Sequence, residues 1–306
     1  MRIILNGQQA FGKAALEKIL EAGKDEVVGV FTAPDKEGRP ADPVKQAALE
    51  HGLPLFQPLN YKDEENLEML RSLNADLMVM AYVIIFIPEA ARDIPKMGSI
   101  CFHPSLLPLH RGPSSINWPI MWGATKTGFS WFYPTDGLDE GDILLQREVD
   151  IRPDETLGDV YFKQIFPAGV DSVLDVIDAF RAGDPPRSAQ DESKATYESW
   201  CRKADVQLDW GRQVADVYNV IRAGNPQPGA WTTLNGNEVQ VYDAAKVAGE
   251  EGTTGEVVSV DADGVTVQAA GGRILIKRVR PKGGDKIAAS EWAASAGVAA
   301  GTKLGG

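Results

Sequence analysis

The first 180 or so residues alternate short apolar runs with stretches of helical period, and that alternation leaves few folds open. Residues 1–6, Val27 to Thr32, Leu53 to Phe56, Asp76 to Met80 and Ser99 to His103 read as extended. Between them, Ala14 to Ala22, Pro43 to Glu50 and Asp63 to Ser72 carry the 3–4-residue apolar spacing and the capping residues of helices. Strand–helix repetition of this kind implies a mostly parallel sheet with helices on both faces. Further helices are expected over Pro113 to Trp122 and Thr156 to Phe180, and further strands over Gly128 to Tyr133 and Ile143 to Val149. Gly7 and Gly12 follow the first strand, but their spacing is neither a P-loop nor a dinucleotide fingerprint, so a tight strand-to-helix turn is the better account.

Ala182 to Lys194 is rich in Pro, Ser and charge and marks an exit from this unit. The expected organisation is a catalytic domain over 1–190, a linker over 191–205 and a second domain over 206–306. In the last of these, a helix over Trp210 to Ala223 precedes short alternating runs at Glu238–Tyr242, Gly255–Val260, Gly264–Gln268 and Arg273–Val279. That spacing reads as a small β-barrel.

Open α/β sheets place ligands beyond the carboxyl ends of their strands. The segment Ser99-Ile100-Cys101-Phe102-His103-Pro104 ends a strand at that position. A period of two puts Cys101 and His103 on one face and Ile100 and Phe102 on the other. His103 is one of three histidines, and imidazole suits proton traffic near neutral pH. Downstream, Asp136-Gly137-Leu138-Asp139-Glu140-Gly141-Asp142 supplies carboxylates on a glycine-punctuated turn, which reads either as a solvated acidic turn or as the source of a carboxylate that orients His103.

Charge and cysteine usage narrow the partners. The net charge is −12, from 43 acidic and 31 basic side chains. Gripping a phosphate backbone needs a surplus of Lys and Arg, so nucleic acid is disfavoured. The longest apolar run, Leu77 to Ile87, is too short to span a bilayer, and Met1-Arg2 leads straight into a strand-like run rather than a secretory leader. Cys101 and Cys201 supply neither a disulfide framework nor a metal cluster, so a cytoplasmic location without a metal is expected.

The order His-Pro-Ser-Leu-Leu-Pro-x-x-Arg-Gly (103–112) and Gly-Leu-Asp-x-Gly-Asp (137–142) resembles the signature of the folate-dependent formyltransferases and hydrolases. The Asn-Pro-x-Pro-Gly-Ala-Trp-Thr turn (225–232) resembles their carboxyl-terminal domain, so the resemblance covers nearly the whole chain. It implies a Rossmann-like catalytic domain followed by an OB-like barrel, with 10-formyltetrahydrofolate as formyl donor. It also implies that His103 is the acid–base group and that Asp139 holds His103 or takes the proton of an attacking water. Ile85, Phe86 and Ile87 in the apolar loop after the fourth strand would cover the pterin ring. Ser105, Arg111 and Asn117 are further candidates for substrate contact, with loop and helix capping as the competing account, and Asp136 is another, with shaping of the acidic turn as its alternative.

One position departs from the transferases, which carry Asn two residues before the histidine, where its amide binds the developing oxyanion. Here that residue is Cys101, and the hydrolase domain of 10-formyltetrahydrofolate dehydrogenase also lacks the Asn. Val28-Gly29-Val30-Phe31-Thr32, Ser115-Ile116-Asn117-Trp118 and Phe166-Pro167-x-Gly169 resemble that domain as well. The resemblance therefore implies hydrolysis of 10-formyltetrahydrofolate to tetrahydrofolate and formate. The alternative is formyl transfer to an amine, either a small amino compound or methionyl-tRNA. A tRNA partner enters only under that alternative. Cys101 reads as a packed strand thiol or as a nucleophile that accepts the formyl group.

Overall fold

The computed structural model describes residues 1–305, and the chain divides into two compact units. The first comprises residues 1–112, 128–148 and 164–197, and the second residues 113–127, 149–163 and the remainder from 198. Composition places the exit from the first unit near residue 190, but the ordered stretch runs on to Tyr197. Residues 113–127 and 149–163, read from sequence as part of the first domain, belong to the second unit. A composition shift locates one crossing; it carries no record of a chain that crosses and returns.

The first unit is built on a seven-stranded sheet of order β3-β2-β1-β4-β5-β6-β7. Its strands are β1 (Arg2–Gly7), β2 (Glu26–Phe31), β3 (Leu55–Phe56), β4 (Leu77–Ala81), β5 (Ser99–His103), β6 (Lys126–Phe132) and β7 (Ile143–Asp150). Pairing is parallel from β3 through β5 and turns antiparallel between β5 and β6. The helices α1 (Gln9–Ala22), α2 (Pro43–Glu50), α3 (Glu64–Ser72) and α4 (Glu89–Arg92) fill the crossovers. Asp42 caps α2 by accepting the Val44 N–H, with Pro43 preset for the first turn. Gly7 and Gly12 serve close packing: an added Cβ would stand 2.5 Å from the Ala81 carbonyl at Gly7 and 2.8 Å from Val44 at Gly12. The tight-turn account of this glycine pair stands.

The strand β5 sits between β4 and β6, with Cys101 opposite Met80 and Phe132 and His103 opposite Ser130. Phe102, on the other face, stacks on Phe11 at 4.2 Å and meets Trp131 edge-on at 5.3 Å. Gly169 leaves room for this ring; a Cβ there would lie 2.8 Å from it. Gly169→Ala is expected to overpack the cluster and destabilise the fold by about 1–3 kcal/mol, read as a lower denaturant midpoint at unchanged slope.

The expected helix over Thr156 to Phe180 is interrupted. It runs as α6 (Leu157–Val160), a π turn at Tyr161–Ile165 and α7 (Phe166–Ala182). Pro167 has no N–H for the preceding turn and crowds its carbonyls, and a widened turn relieves both. The expected helix over Pro113 to Trp122 contracts to α5 (Asn117–Met121) because Pro113-Ser114-Ser115 adopts turn conformations.

In the second unit the helix begins late, as α8 (Val214–Gly224), because Asp209 accepts the Gly211 N–H and forms a turn. The alternating runs form two four-stranded antiparallel sheets around one apolar core that includes Trp210, Ile221 and Trp292. One sheet contains β8 (Ala230–Leu234), β9 (Asn237–Val241), β14 (Arg278–Pro281) and β15 (Ile287–Ala288). The other contains β10 (Ala244–Val247), β11 (Val257–Asp261), β12 (Gly264–Ala269) and β13 (Gly272–Ile276), and α9 (Ala289–Ala296) follows. Among the described residues no helix is long and apolar enough to cross a membrane.

Candidate active site

His103 ends β5 with its side chain largely buried. Its Nε2 lies 2.9 Å from the His110 carbonyl oxygen, which can only accept, so the Nε2 proton donates there. Nδ1 then faces Asp139, whose Oδ2 is 3.6 Å away. This is longer than a hydrogen bond and close enough for the imidazolium to be held by the carboxylate. The same Oδ2 accepts the Gly112 backbone N–H at 2.8 Å. Asp139 has a φ of +52°, a left-handed conformation that Asp tolerates better than most residues. His103 and Asp139, 36 residues apart, thus bring the two motifs together at one imidazole–carboxylate pair.

Cys101 lies on the same strand face, half-buried beside the apolar cluster around Met78, Met80 and Ile87. Loss of water pushes its thiol well above the ordinary range, and the nearby Asp139 charge adds to the rise. The thiolate is the nucleophilic form, and both effects disfavour it here.

Two candidates for substrate contact are turned to internal work. Ser105 is fully buried, and its hydroxyl donates to the Leu109 carbonyl at 2.6 Å. Asn117 donates its side-chain amide to the carbonyls of Ala223 at 2.8 Å and Gln227 at 3.2 Å, all within the second unit. Both side chains thus spend their donors on backbone carbonyls of the protein.

The apolar loop after β4 divides by exposure. Ile87 is buried in the core, Ile85 is half-buried against it, and Phe86 is 56% exposed. Of the three, Phe86 offers most surface to a flat ring, and Ile87 supports the loop from beneath. Arg92 ties this loop to the acidic turn: its Nη1 donates to the Ile87 carbonyl and to Asp136 Oδ1, both at 2.7 Å. The Arg92 hydrogen bond holds the Asp136 carboxyl below its usual range. The tie therefore persists at neutral pH and is lost as acid titrates Asp136 below the ordinary carboxylate range. Among the described residues no cluster of three or more His, Cys, Asp and Glu side chains is arranged to hold a metal ion.

A family model described as formyl transferase matches residues 1–168, and one described as formyl transferase, C-terminal domain, matches residues 201–297. The chain belongs to the formyl transferase family. It is 40% identical over 247 residues to mitochondrial 10-formyltetrahydrofolate dehydrogenase of Mus musculus, a match covering 79% of this chain and 26% of that protein. It is 36% identical over 310 residues to methionyl-tRNA formyltransferase of Geobacter sulfurreducens, covering 100% of this chain and 97% of that protein. The chain thus spans about a quarter of the dehydrogenase and nearly all of the methionyl-tRNA enzyme. HypX from Aquifex aeolicus, solved in complex with tetrahydrofolic acid, shares the fold at a TM-score of 0.68 and 20% identity, over 96% of this chain and 47% of that one.

In this formyl transferase family member residues 188–197, which run from the expected catalytic domain into the expected linker, form a strap along the first unit. Ser188 pairs with Ile143 through two backbone hydrogen bonds of 2.7 and 3.0 Å. The fully buried Arg111 donates to Gln190 Oε1 at 2.7 Å and forms a two-pronged pair with Glu192 at 2.6 and 3.0 Å. It also bonds the Tyr197 hydroxyl, which donates to Glu140 at 2.9 Å. Thr196 accepts the His110 N–H on its hydroxyl at 2.8 Å and the Arg111 N–H on its carbonyl at 2.9 Å. Arg111 was visible in the sequence as part of the motif, though its partners were not. Gln190 sits in the Pro-, Ser- and charge-rich exit and Thr196 in the expected linker, and nothing local singles them out.

Proposed function

We propose that this chain hydrolyses 10-formyltetrahydrofolate to tetrahydrofolate and formate. The observation that carries the reading is the approach of His103 Nδ1 to within 3.6 Å of an Asp139 carboxylate that is itself fixed by the Gly112 N–H. Formyl transfer needs a base for the attacking nucleophile, a donor for the developing oxyanion and an acid for the leaving nitrogen. Asp139 takes a proton from water as its oxygen attacks the formyl carbon. His103, its Nε2 proton engaged by the His110 carbonyl, acts through Nδ1: with a proton there, beside the Asp139 carboxylate, it donates to the formyl oxygen as charge develops. As the carbon–nitrogen bond breaks, the proton that Asp139 took from water passes to the folate nitrogen, and the formic acid formed loses the other water proton to solvent. Phe86 and Ile85 give the pterin ring an apolar surface.

Cys101 bears on the choice of acceptor. Burial keeps the sulfur protonated, which supports the packing account over an acyl-thiol intermediate. A thiol is also a weak donor and replaces the amide that helps the transferases bind the oxyanion. Cys101→Ser is expected to retain most of the activity, whereas loss of nearly all of it would restore the nucleophile. Cys101→Asn is expected to raise the share of formyl transferred to an added amine, measured as formyl-amine against formate.

A second reading, formyl transfer to an amine, is favoured by the end-to-end match to methionyl-tRNA formyltransferase. The net charge of −12 weighs against a tRNA acceptor. Incubation with 10-formyltetrahydrofolate, with and without small amines or methionyl-tRNA, separates the two. Free formate without an acceptor supports hydrolysis; turnover that appears only with an acceptor overturns it.

A further inference from the structure

We propose that Gln190 is a positioning residue for the Asp139–His103 pair, an inference that rests on the chemical roles given to those two residues above. The Gln190 side-chain amide donates to two carbonyls of the acidic turn, Asp139 at 3.0 Å and Gly141 at 2.7 Å. These carbonyls belong to a turn with φ of +52° at Asp139, uncommon for a residue other than glycine, and +109° at Gly141, which glycine adopts freely. A left-handed Asp persists where its surroundings hold it, and one amide gripping both carbonyls does so.

The orientation of that amide is set from behind. Gln190 Oε1 accepts from Arg111 Nε at 3.2 Å and Nη2 at 2.7 Å, so its nitrogen must face the turn. Both hydrogens and the oxygen are committed to protein partners, which gives Gln190 no free group for substrate. Its influence on the reaction runs through the backbone of Asp139 to the carboxylate. Six residues on, Thr196 holds the His110 N–H, and the His110 carbonyl accepts from His103. The strap therefore braces both neighbours of the imidazole, the carboxylate through Gln190 and the carbonyl through Thr196. A merely structural staple would shift stability and leave the kinetic constants of folded protein alone.

Gln190→Glu keeps an oxygen for Arg111 but sets a carboxylate against the two carbonyls. Gln190→Met keeps the length and removes all four hydrogen bonds. Each is expected to lower kcat by about a hundredfold, the scale of a misplacement of about 1 Å, with KM for 10-formyltetrahydrofolate unchanged. Each is also expected to abolish hydrogen-exchange protection of the Gly112 amide, which depends on Asp139 Oδ2, while the Arg111 amide bonded to Thr196 stays protected. Parental kcat in a folded variant, or unchanged Gly112 exchange, overturns the proposal. If the parent protein releases no formyl group to water or amine, the functional reading fails by itself, and the Gly112 exchange still decides whether Gln190 holds Asp139.

Discussion

His103→Ala is expected to reduce formyl release from 10-formyltetrahydrofolate by about 10²–10⁴-fold, with tetrahydrofolate affinity retained. The imidazole is engaged by the His110 carbonyl at 2.9 Å and faces Asp139 at 3.6 Å. Its removal withdraws a group whose interactions grow in the transition state, so kcat falls with little change in binding. The ring lies at the end of β5, beyond the Phe102 cluster on the opposite strand face, and its loss leaves that core intact. Single-turnover formate release and calorimetric titration with tetrahydrofolate measure the two quantities separately. A variant that turns over at the parental rate removes His103 from the chemistry.

Asp139→Asn is the second large effect and separates charge from shape. Asn accepts the Gly112 N–H with its side-chain oxygen and tolerates the left-handed backbone at φ +52°, so the turn is preserved. Replacing a charged acceptor by a neutral one in that hydrogen bond costs about 1 kcal/mol of stability. The rate is expected to fall by about 10²-fold or more, because an amide neither takes a proton from water nor holds an imidazolium. Rates measured beside thermal midpoints make the distinction: a variant that loses stability but not rate has a structural aspartate at this turn. The double variant with His103→Ala is expected to be little slower than the worse single variant, since residues that act as a unit are not additive.

The residues of the pair were legible because each sits in a locally encoded feature. His103 closes a strand whose alternation and terminal proline are plain in the sequence, and Asp139 lies on a turn marked by Gly137 and Gly141. The buried or exposed state of their neighbours was not legible. Ser105, Asn117 and Ile87 have the residue types of ligand contacts; the fold buries Ser105 and Ile87 and sets the half-buried Asn117 amide against two backbone carbonyls. For Ile87 the loop's apolar run has no period, so nothing local states which member points to the core.

The amino-acid sequence alone determined the mostly parallel sheet, the strand that presents His103 and the family, because periodicity, turn residues and contiguous motifs are short-range properties. Only the tertiary structure decided that the Pro- and Ser-rich exit is a strap, that Arg111 is its buried anchor and that Cys101 packs against the apolar cluster of Met78 and Met80. Those outcomes rest on side-chain hydrogen bonds between residues 49 to 86 positions apart and on removal from water, and no local pattern of residues encodes either.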